Sequence, residues 1–273
     1  MKNCISSKFL FNRDILPCTE FNNVLTTKGI SIYEVVRIFN GIPLFFEEHY
    51  SRLLKSAELT KISIEYDQSE LLELISILIK ENDLYSGNIR IIINHYETKN
   101  KLALSFIKHK YPSERELQSG VFAHSVKAYR INPNAKTLNI NLRNLLDSII
   151  IKKNIYETIM VNKGNITEGS RSNIFFIKNN CLHTSPQSTI LPGITRQKII
   201  DICNNLDINI MYKNIPLKDL RTFEAAFITG TSSGVLQLSQ IDKIKLQLNH
   251  AIILKISKHY NALVKENLNF YSE

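Results

Sequence analysis

The sequence predicts a mixed α/β fold that is divided into two unequal parts. Three observations support this prediction. Segments rich in β-branched and aromatic residues alternate with segments of helical periodicity. Asn40-Gly41, a strong hairpin signal, directly follows an apolar run at residues 31–39. A polar stretch with a proline at residues 110–116 interrupts the alternation and predicts a boundary between a domain of residues 1–115 and one of residues 116–273.

The first part is predicted to hold a hairpin, two helices and two further strands. β-branched and aromatic residues mark the hairpin strands at Ser31–Phe39 and Leu44–Phe46. An acidic start followed by apolar residues at core-like spacing predicts a helix from Glu47 to Leu59. The other predicted elements are a helix from Ser69 to Lys80 and strands from Ile89 to Asn94 and from Leu102 to Ile107.

Beyond residue 116 strands and helices continue to alternate. The predicted strands are Val121–Val126, Glu157–Val161 and Asn173–Ile177, and the predicted helices are Asn139–Lys153, Ile194–Leu206 and His250–Leu268. The last helix carries a single apolar stripe along one face. Such a stripe indicates packing in a core and not a functional surface.

The composition excludes several classes of protein. No run of 18 apolar residues is present, so we expect no membrane span. The net charge of +9 comes from scattered lysines without a dense basic run, which favours affinity for small anions over nucleic-acid binding. The four cysteines are far apart and form no CxxC pair. They are therefore expected to be reduced thiols in a cytoplasmic protein, without a zinc or other metal site.

Two basic side chains are candidates for reactive or anion-binding positions. Arg52 offers a planar fork of donors that suits a phosphate group. Lys136 is a candidate nucleophile toward a carbonyl, provided that its surroundings remove its proton. Either residue, taken alone, also fits an ordinary solvated surface position.

Three further segments complete the pattern. Glu168 lies in Thr167-Glu168-Gly169-Ser170, and a carboxylate there could meet a ring nitrogen. The segment 190–196 leads through a turn into a predicted helix, where free N–H groups and the Thr195 hydroxyl could bind a phosphate. The segment 227–234 joins a strand to a turn of small hydroxyl residues, which could form a second phosphate cradle. A lysine, a carboxylate and phosphate-binding elements are what a pyridoxal phosphate enzyme needs.

Jointly these segments resemble the class IV aminotransferases, the pyridoxal phosphate enzymes of fold type IV. That family includes branched-chain aminotransferases, D-amino acid aminotransferases and aminodeoxychorismate lyases. The resemblance extends from about Tyr33 to about Leu238, and the segments 167–173 and 191–196 carry it most specifically. It implies a small N-terminal α/β domain and a larger C-terminal domain with the cofactor between them, usually in a homodimer.

The resemblance also implies roles for individual residues. Lys136 would form the Schiff base with pyridoxal phosphate and would later move the proton between the substrate α-carbon and the cofactor. Glu168 would bond the pyridine nitrogen, and Leu191 would pack on the ring face. The implied phosphate-binding residues are Arg52, Ile194, Thr195 and Thr231, and the implied substrate-side residues are Tyr33 and Ser232.

The sequence departs from the family pattern at two places that border the substrate. Many members have Gly-Asp-Gly before the first strand motif, whereas this chain has Gly29-Ile30-Ser31. The D-amino acid enzymes carry an Arg-x-His carboxylate trap, and the corresponding residues 93–97 here lack that arginine. Strong D-amino acid activity is therefore not expected. His95, in the same stretch, could face the pocket or serve a structural role.

Three functions remain open at this point. The first is an aminotransferase that acts on an amino acid and a 2-oxo acid through the Lys136 Schiff base. The second is a 4-amino-4-deoxychorismate lyase, which would eliminate pyruvate and leave 4-aminobenzoate. The third is a basic binding protein without catalysis, although an intact Lys136 and Glu168 argue against it. We expect the first function, a homodimer, and small-molecule partners only.

Overall fold

The computed structural model describes residues 4–21 and 28–271, and the chain divides into two compact units. The first unit comprises Met1–Lys110, Ala135–Ile140 and Lys265–Glu273, and the second comprises Tyr111–Asn134 and Asn141–Val264. The expected domains, residues 1–115 and 116–273, stay a prediction. The compact units differ from them chiefly because two short later segments belong to the first unit.

The first unit contains a six-stranded antiparallel sheet with the order β2-β1-β6-β5-β3-β4. Its strands are β1 (Lys8–Phe11), β2 (Asp14–Pro17), β3 (Ile30–Phe39), β4 (Ile42–Pro43), β5 (Gly87–Tyr96) and β6 (Lys99–Ile107). Its helices are α1 (Phe46–Thr60) and α2 (Gln68–Asn82). Alternate residues of β3 and β5, such as Ile32 and Ile93, pack with apolar residues of both helices to form the core of this unit.

The second unit contains a ten-stranded mixed sheet with the order β12-β11-β10-β14-β15-β7-β8-β9-β13, and β16 pairs with β15. Its strands are β7 (Val121–Lys127), β8 (Glu157–Asn162), β9 (Asn165–Gly169), β10 (Asn173–Lys178), β11 (Cys181–Thr184), β12 (Ile210–Tyr212), β13 (Ile215–Pro216), β14 (Ala225–Gly230), β15 (Gly234–Ile241) and β16 (Ile244–Lys245). Strands β8, β10 and β14 are buried along almost their whole length, which explains their continuous apolar sequences.

Four α-helices follow Lys110 in the chain: α3 (Glu114–Ser119), α4 (Ile140–Lys153), α5 (Ile194–Asn205) and α6 (Ala251–Phe270). Short 3-10 helices cover Cys18–Glu20, Gln187–Thr189 and Leu217–Thr222. Three residues of the predicted α6 stripe, Ile253, Ile256 and Tyr260, are buried, in agreement with a packing role. None of the helices within residues 4–21 and 28–271 combines the length and the apolar character that a membrane crossing requires.

The predicted fold class is confirmed, and most predicted elements agree with the structure to within a few residues. The prediction of a strand at Leu44–Phe46 was wrong. The second hairpin strand is only Ile42–Pro43, because Phe45 adopts the left-handed conformation with φ 53° and Phe46 begins α1. Leu44, Phe45 and Phe46 are all buried, and a short buried apolar run has the same sequence pattern in a strand and at a helix start.

The prediction of four reduced thiols was also wrong for two of the cysteines. Cys4 and Cys18 form a disulfide, with their Cα atoms 5.9 Å apart, whereas Cys181 and Cys203 are free. Cys4 precedes β1 and Cys18 follows β2, so the antiparallel pairing of these strands brings the two sulfur atoms together. The sequence hides this proximity because the two cysteines are 14 residues apart.

Candidate active site

The first unit groups three of the predicted site residues beside β3 and α1. Tyr33 lies in β3, Arg52 lies in α1, and Lys136 lies in the segment 135–140. The Tyr33 N–H group donates a hydrogen bond of 3.0 Å to the Lys136 carbonyl oxygen. Lys136 Nζ lies 4.7 Å from the centroid of the Tyr33 ring. The amine of the candidate reactive lysine is therefore placed over an aromatic face.

Ser56, which is fully buried, connects the lysine segment to α1. The Lys136 N–H group donates to Ser56 Oγ at 3.0 Å, and the same hydroxyl donates to the Arg52 carbonyl oxygen at 2.9 Å. A further bond of 2.8 Å runs from the Leu138 N–H group to the Ser31 carbonyl oxygen. Together with the bond to Tyr33, these contacts hold the Lys136 backbone against a strand and a helix.

A buried ion pair fixes the Arg52 side chain. Arg52 Nε and Nη2 donate to the two carboxylate oxygens of Glu34 at 2.8 and 2.7 Å. His49 Nδ1 lies 2.8 Å from Glu34 Oε2. His49 and Arg52 are three residues apart in α1, so both project from one helix face toward β3. The guanidinium fork predicted to bind phosphate thus gives two of its five N–H donors to Glu34.

Burial and neighbouring charges together shift the pKa values of Glu34 and His49. Burial raises the pKa of Glu34, but the Arg52 guanidinium and the hydrogen bond with His49 outweigh it and hold this pKa far below its usual range. Burial lowers the pKa of His49, and the positive charges of Arg52 and Lys136 lower it further against the opposing effect of Glu34. At neutral pH the cluster therefore contains an anionic glutamate and a neutral imidazole.

In the second unit, Glu168 at the end of β9 is buried, with a residue exposure of 2%. Its Oε1 atom accepts a hydrogen bond of 2.9 Å from Arg130 Nε, which forms a salt bridge. Its Oε2 atom accepts bonds from the Leu191 N–H group at 3.2 Å and from Asn173 Nδ2 at 3.4 Å. The carboxylate is thus held by contacts at both oxygens, and Leu191 contacts it through its backbone.

A second buried carboxylate, that of Glu157, organises the turn after Glu168. Glu157 Oε1 accepts from the Ser170 N–H group at 3.1 Å and from Ser170 Oγ at 2.5 Å, and Oε2 accepts from Ser172 Oγ at 2.8 Å. Gly169 leaves room for these contacts, since a Cβ atom there would lie 2.1 Å from Ser172 Oγ. Steric packing at Gly169, as well as the hydrogen bonds to Glu157, therefore determines the conformation of the Thr-Glu-Gly-Ser segment.

The N-terminus of α5 presents backbone donors. Gly193 is the N-cap residue and makes no side-chain capping bond, and Ile194 and Thr195 form the first turn. The first N–H groups of a helix have no acceptor within the helix, and the helix dipole favours an anion there. Asn173 braces this turn, because its Nδ2 donates to the Leu191 carbonyl at 2.9 Å and its Oδ1 occupies the space that a Cβ at Gly193 would need.

The turn between β14 and β15 carries Thr231 and Ser232, both half-buried. The pairing of Gly230 with Gly234 closes the hairpin. Within the residues that the structure describes, the buried hydroxyl of Thr229, the residue just before Gly230, has no hydrogen-bond partner. A buried hydroxyl without a partner indicates a polar group that could be satisfied by a bound ligand.

The predicted site residues fall into two sets. The first unit brings together Tyr33, Arg52 and Lys136, and the second unit holds Glu168, Leu191, Ile194, Thr195, Thr231 and Ser232. His95 Nδ1 lies 2.7 Å from Asn100 Oδ1, its cross-strand neighbour in β6, which gives it a structural contact. Across residues 4–21 and 28–271, no group of three His, Cys, Asp or Glu side chains is arranged to hold a metal ion.

Reasoning from the sequence assigned no role to several residues of these networks, among them Glu34, Ser56, Arg130, Glu157 and Asn173. A partial signal exists for Glu34, because His49 and Arg52 at helical spacing require an acidic partner when they are buried. Arg130 has no local signal, since its partner Glu168 is 38 residues away.

Comparison with known proteins identifies the family. The sequence profile described as amino-transferase class IV matches residues 31–241. The D-alanine aminotransferase of Bacillus licheniformis is 28% identical over 250 residues, which cover 86% of this chain and 88% of that protein. The branched-chain aminotransferase of the archaeon Thermoproteus uzoniensis is 25% identical and superposes with a TM-score of 0.83 over 96% of each chain.

A third similar protein, from Legionella pneumophila, is provisionally named a 4-amino-4-deoxychorismate lyase. It is 23% identical and superposes with a TM-score of 0.77, over 86% of this chain and 91% of that one, so its likeness shows the shared fold. The predicted family is confirmed, because the family profile spans most of the chain and the fold agrees. The chain belongs to the class IV aminotransferase family.

Proposed function

We propose that the chain is a pyridoxal phosphate-dependent aminotransferase that moves an amino group between an amino acid and a 2-oxo acid. The buried Glu168 carboxylate, paired with Arg130, is the observation that carries this proposal. A fixed carboxylate of this kind can keep a pyridine ring protonated, and a protonated ring withdraws electrons from a bound substrate. The likeness to a D-alanine aminotransferase supports the same class of reaction.

The residues present fit pyridoxal phosphate at three points. The uncapped N-terminus of α5 and the unpartnered Thr229 hydroxyl suit a phosphate group. The buried Glu168 suits a protonated ring nitrogen, because a carboxylate has about four acceptor positions. Lys136 offers an amine, which lies over the Tyr33 ring and can link covalently to an aldehyde.

The proposal assigns one role to each site residue. When bound, the cofactor supplies an aldehyde that links to an amine and a ring that accepts electrons. Lys136 would hold it covalently through Nζ, and Glu168 would accept the hydrogen bond of the ring nitrogen. Leu191 would pack on the ring face. Arg52, Ile194, Thr195 and Thr231 would bind the phosphate, and Tyr33 and Ser232 would line the substrate side.

Lys136 would also carry the proton in catalysis. Its Nζ atom, once free, would take the proton from the substrate α-carbon as a general base and would deliver it to the cofactor carbon as a general acid. The Tyr33 ring would stabilise the ammonium form that arises between these two transfers, because an aromatic face attracts a cation. Glu34 and neutral His49 would keep Arg52 anchored throughout.

The decisive experiment measures products and not only binding. Purified protein loaded with pyridoxal phosphate is incubated with branched-chain amino acids, D-alanine and aminodeoxychorismate, each with and without a 2-oxo acid. Amino transfer that depends on the 2-oxo acid supports the proposal. Pyruvate and 4-aminobenzoate from aminodeoxychorismate, without amino transfer, would instead establish the lyase. Absence of cofactor binding would contradict both and favour a non-catalytic binding protein.

A matched pair of lysine variants tests the role of Lys136. Lys136→Ala should lose the visible absorption band of covalently held cofactor and at least about a thousandfold in turnover. Lys55→Ala is the control, because Lys55 is exposed and contacts only Glu58 within the described contacts. Equal behaviour of the two variants would remove Lys136 from the site.

We further propose a homodimer. Apolar side chains are exposed on α4 and on the segment after β7, namely Tyr129, Ile131, Leu145 and Ile151. Ile131 and Ile151 are 86% and 79% exposed, which is unfavourable for an apolar surface in water. Sedimentation analysis should show a dimer, and Ile131→Glu should shift the protein toward the monomer. A monomeric wild-type protein would contradict this proposal.

A cytoplasmic location is likewise a proposal, and the Cys4–Cys18 disulfide makes it testable. A reducing compartment keeps such thiols free. Trapping thiols at the moment of cell lysis shows whether the bond in the structure also persists in the cell. Four free cysteines would support the cytoplasmic location, whereas two, Cys181 and Cys203, would contradict it.

A further inference from the structure

We propose that Arg130 is a positioning residue for Glu168, which keeps the carboxylate anionic and fixes its orientation before the cofactor binds. This inference rests on the proposed role of Glu168. Arg130 comes from the segment after β7, whereas Glu168 lies at the end of β9, so the pair also joins two parts of the second unit.

The geometry allows little freedom to the carboxylate. Arg130 Nε donates to Glu168 Oε1 at 2.9 Å, and Arg130 Nη2 lies 3.4 Å from the Ser170 carbonyl oxygen. The opposite oxygen, Oε2, is bonded by the Leu191 N–H group and by Asn173. Rotation of the carboxylate would break contacts at both oxygens. The orientation is therefore set by the protein before any ligand arrives.

The charge of Arg130 is as important as its hydrogen bond. The Glu168 side chain is 3% exposed and the Arg130 side chain 13% exposed, so water stabilises neither charge well. A buried carboxylate without a cation favours its neutral acid form. If Glu168 were a neutral acid, it would already carry a proton before the cofactor binds. The protein would then take up fewer protons when the cofactor binds.

Arg196 is a second cation that acts on Glu168. Its positive charge interacts with Glu168 through space, but its Nη2 atom lies 3.4 Å from the Ser185 carbonyl oxygen and its guanidinium stands over the rings of Phe175 and Tyr212. Arg196 therefore contributes to the electrostatic potential at Glu168, but the described contacts include no salt bridge between these two residues. Arg130, in contrast, is in direct contact with the carboxylate.

The test compares variants of the full-length protein in the absence of substrate. Calorimetric titration with pyridoxal phosphate, in buffers of different ionisation enthalpy, gives both the dissociation constant and the number of protons taken up. We expect Arg130→Met to bind about 10-fold more weakly, a loss typical of removing an outer partner of a ligand-binding group. It should also take up about one proton fewer than the wild type near pH 7.5.

Three variants distinguish a positioning role of Arg130 from a general contribution of this residue to the folded structure. Arg130→Lys should restore the proton count, because it keeps the charge. Arg130→Gln, which keeps a donor without the charge, decides the question if Arg130→Met does not fold. Arg221→Met is the control for the loss of one exposed arginine in the same unit.

Two outcomes are distinguishable. Unchanged affinity and proton count in the Met and Gln variants, together with changes in Glu168→Gln, would overturn the role of Arg130 alone. Unchanged values in Glu168→Gln as well would overturn the proposed role of Glu168.

Discussion

The amine of Lys136 lies 4.7 Å from the centre of the Tyr33 ring, and a backbone hydrogen bond of 3.0 Å joins the same two residues. The contact is thus fixed at the main chain as well as at the side chains. A cation over an aromatic face gains about 0.5–1 kcal/mol at an exposed site and more when it is shielded from water.

We predict that Tyr33→Leu lowers kcat/KM about 3- to 10-fold, since it removes the ring that stabilises the ammonium form of Lys136. Tyr33→Phe keeps the ring and should stay within about 3-fold of the wild type. Initial-rate measurements with one amino acid and one 2-oxo acid check both. Tyr85→Leu, at an exposed position of the same unit, is the control. An equally large loss in Tyr33→Phe would assign the effect to the hydroxyl group instead.

The Glu34–Arg52 pair predicts a large loss of stability on Arg52→Met. The variant leaves a buried carboxylate without its cation, which costs about 3–5 kcal/mol. Urea unfolding of the cofactor-free protein at pH 7 measures this difference without interference from the proposed phosphate role. Arg13→Met removes an exposed salt bridge with Glu70 and should cost less than about 1 kcal/mol. Similar losses of unfolding free energy in the two variants would show that the buried pair stabilises the protein no more than the exposed pair does.

His49 predicts a pH dependence of the free energy of unfolding. Its pKa in the folded protein is lowered, chiefly by burial, so the unfolded chain binds a proton more readily than the folded chain does. Its contribution to stability is therefore fully present above the unfolded pKa of about 6.5 and is lost as the pH falls below that value.

The Glu34 carboxyl adds a second loss at lower pH, since its folded pKa is also lowered and its stabilisation disappears as the pH falls below about 4.5. His49→Gln should flatten the stability curve just below about pH 6.5 while it leaves the loss below about pH 4.5. Urea titrations from pH 8 to 4 check this, with His259→Gln at an exposed position as the control. A slope unchanged by His49→Gln would assign the loss to another group.

The local parts of the candidate site could be predicted from the sequence. The Thr167–Ser170 strand end and the turn into α5 are each encoded by neighbouring residues, and the positions of Lys136 and Glu168 follow from their motifs. The hairpin at Asn40-Gly41 and the amphipathic helices follow from equally local signals.

The partners of these residues could not be predicted, because strand order decides them. Glu34 meets Arg52 only when α1 packs on β3, and Arg130 meets Glu168 only through the adjacency of β7, β8 and β9 in the sheet. A carboxylate and a guanidinium 38 residues apart have no common periodicity in the sequence. The Cys4–Cys18 pair was missed for the same reason, since the β1–β2 pairing creates it.

Gly169 yields the last prediction, because its neighbours leave no room for a side chain. A Cβ atom there would lie 2.1 Å from Ser172 Oγ and 3.0 Å from Glu157 Oε2, so Gly169→Ala should displace the turn that follows Glu168. We expect a loss of about 1–3 kcal/mol in the free energy of unfolding, a cost typical of overpacking. Ser172→Ala removes the clashing hydroxyl, and Gly169→Ala should therefore cost less in that background. A double-mutant cycle by urea unfolding measures the difference. Additive losses would mean that the Glu157 carboxylate, and not the Ser172 hydroxyl, excludes the methyl group.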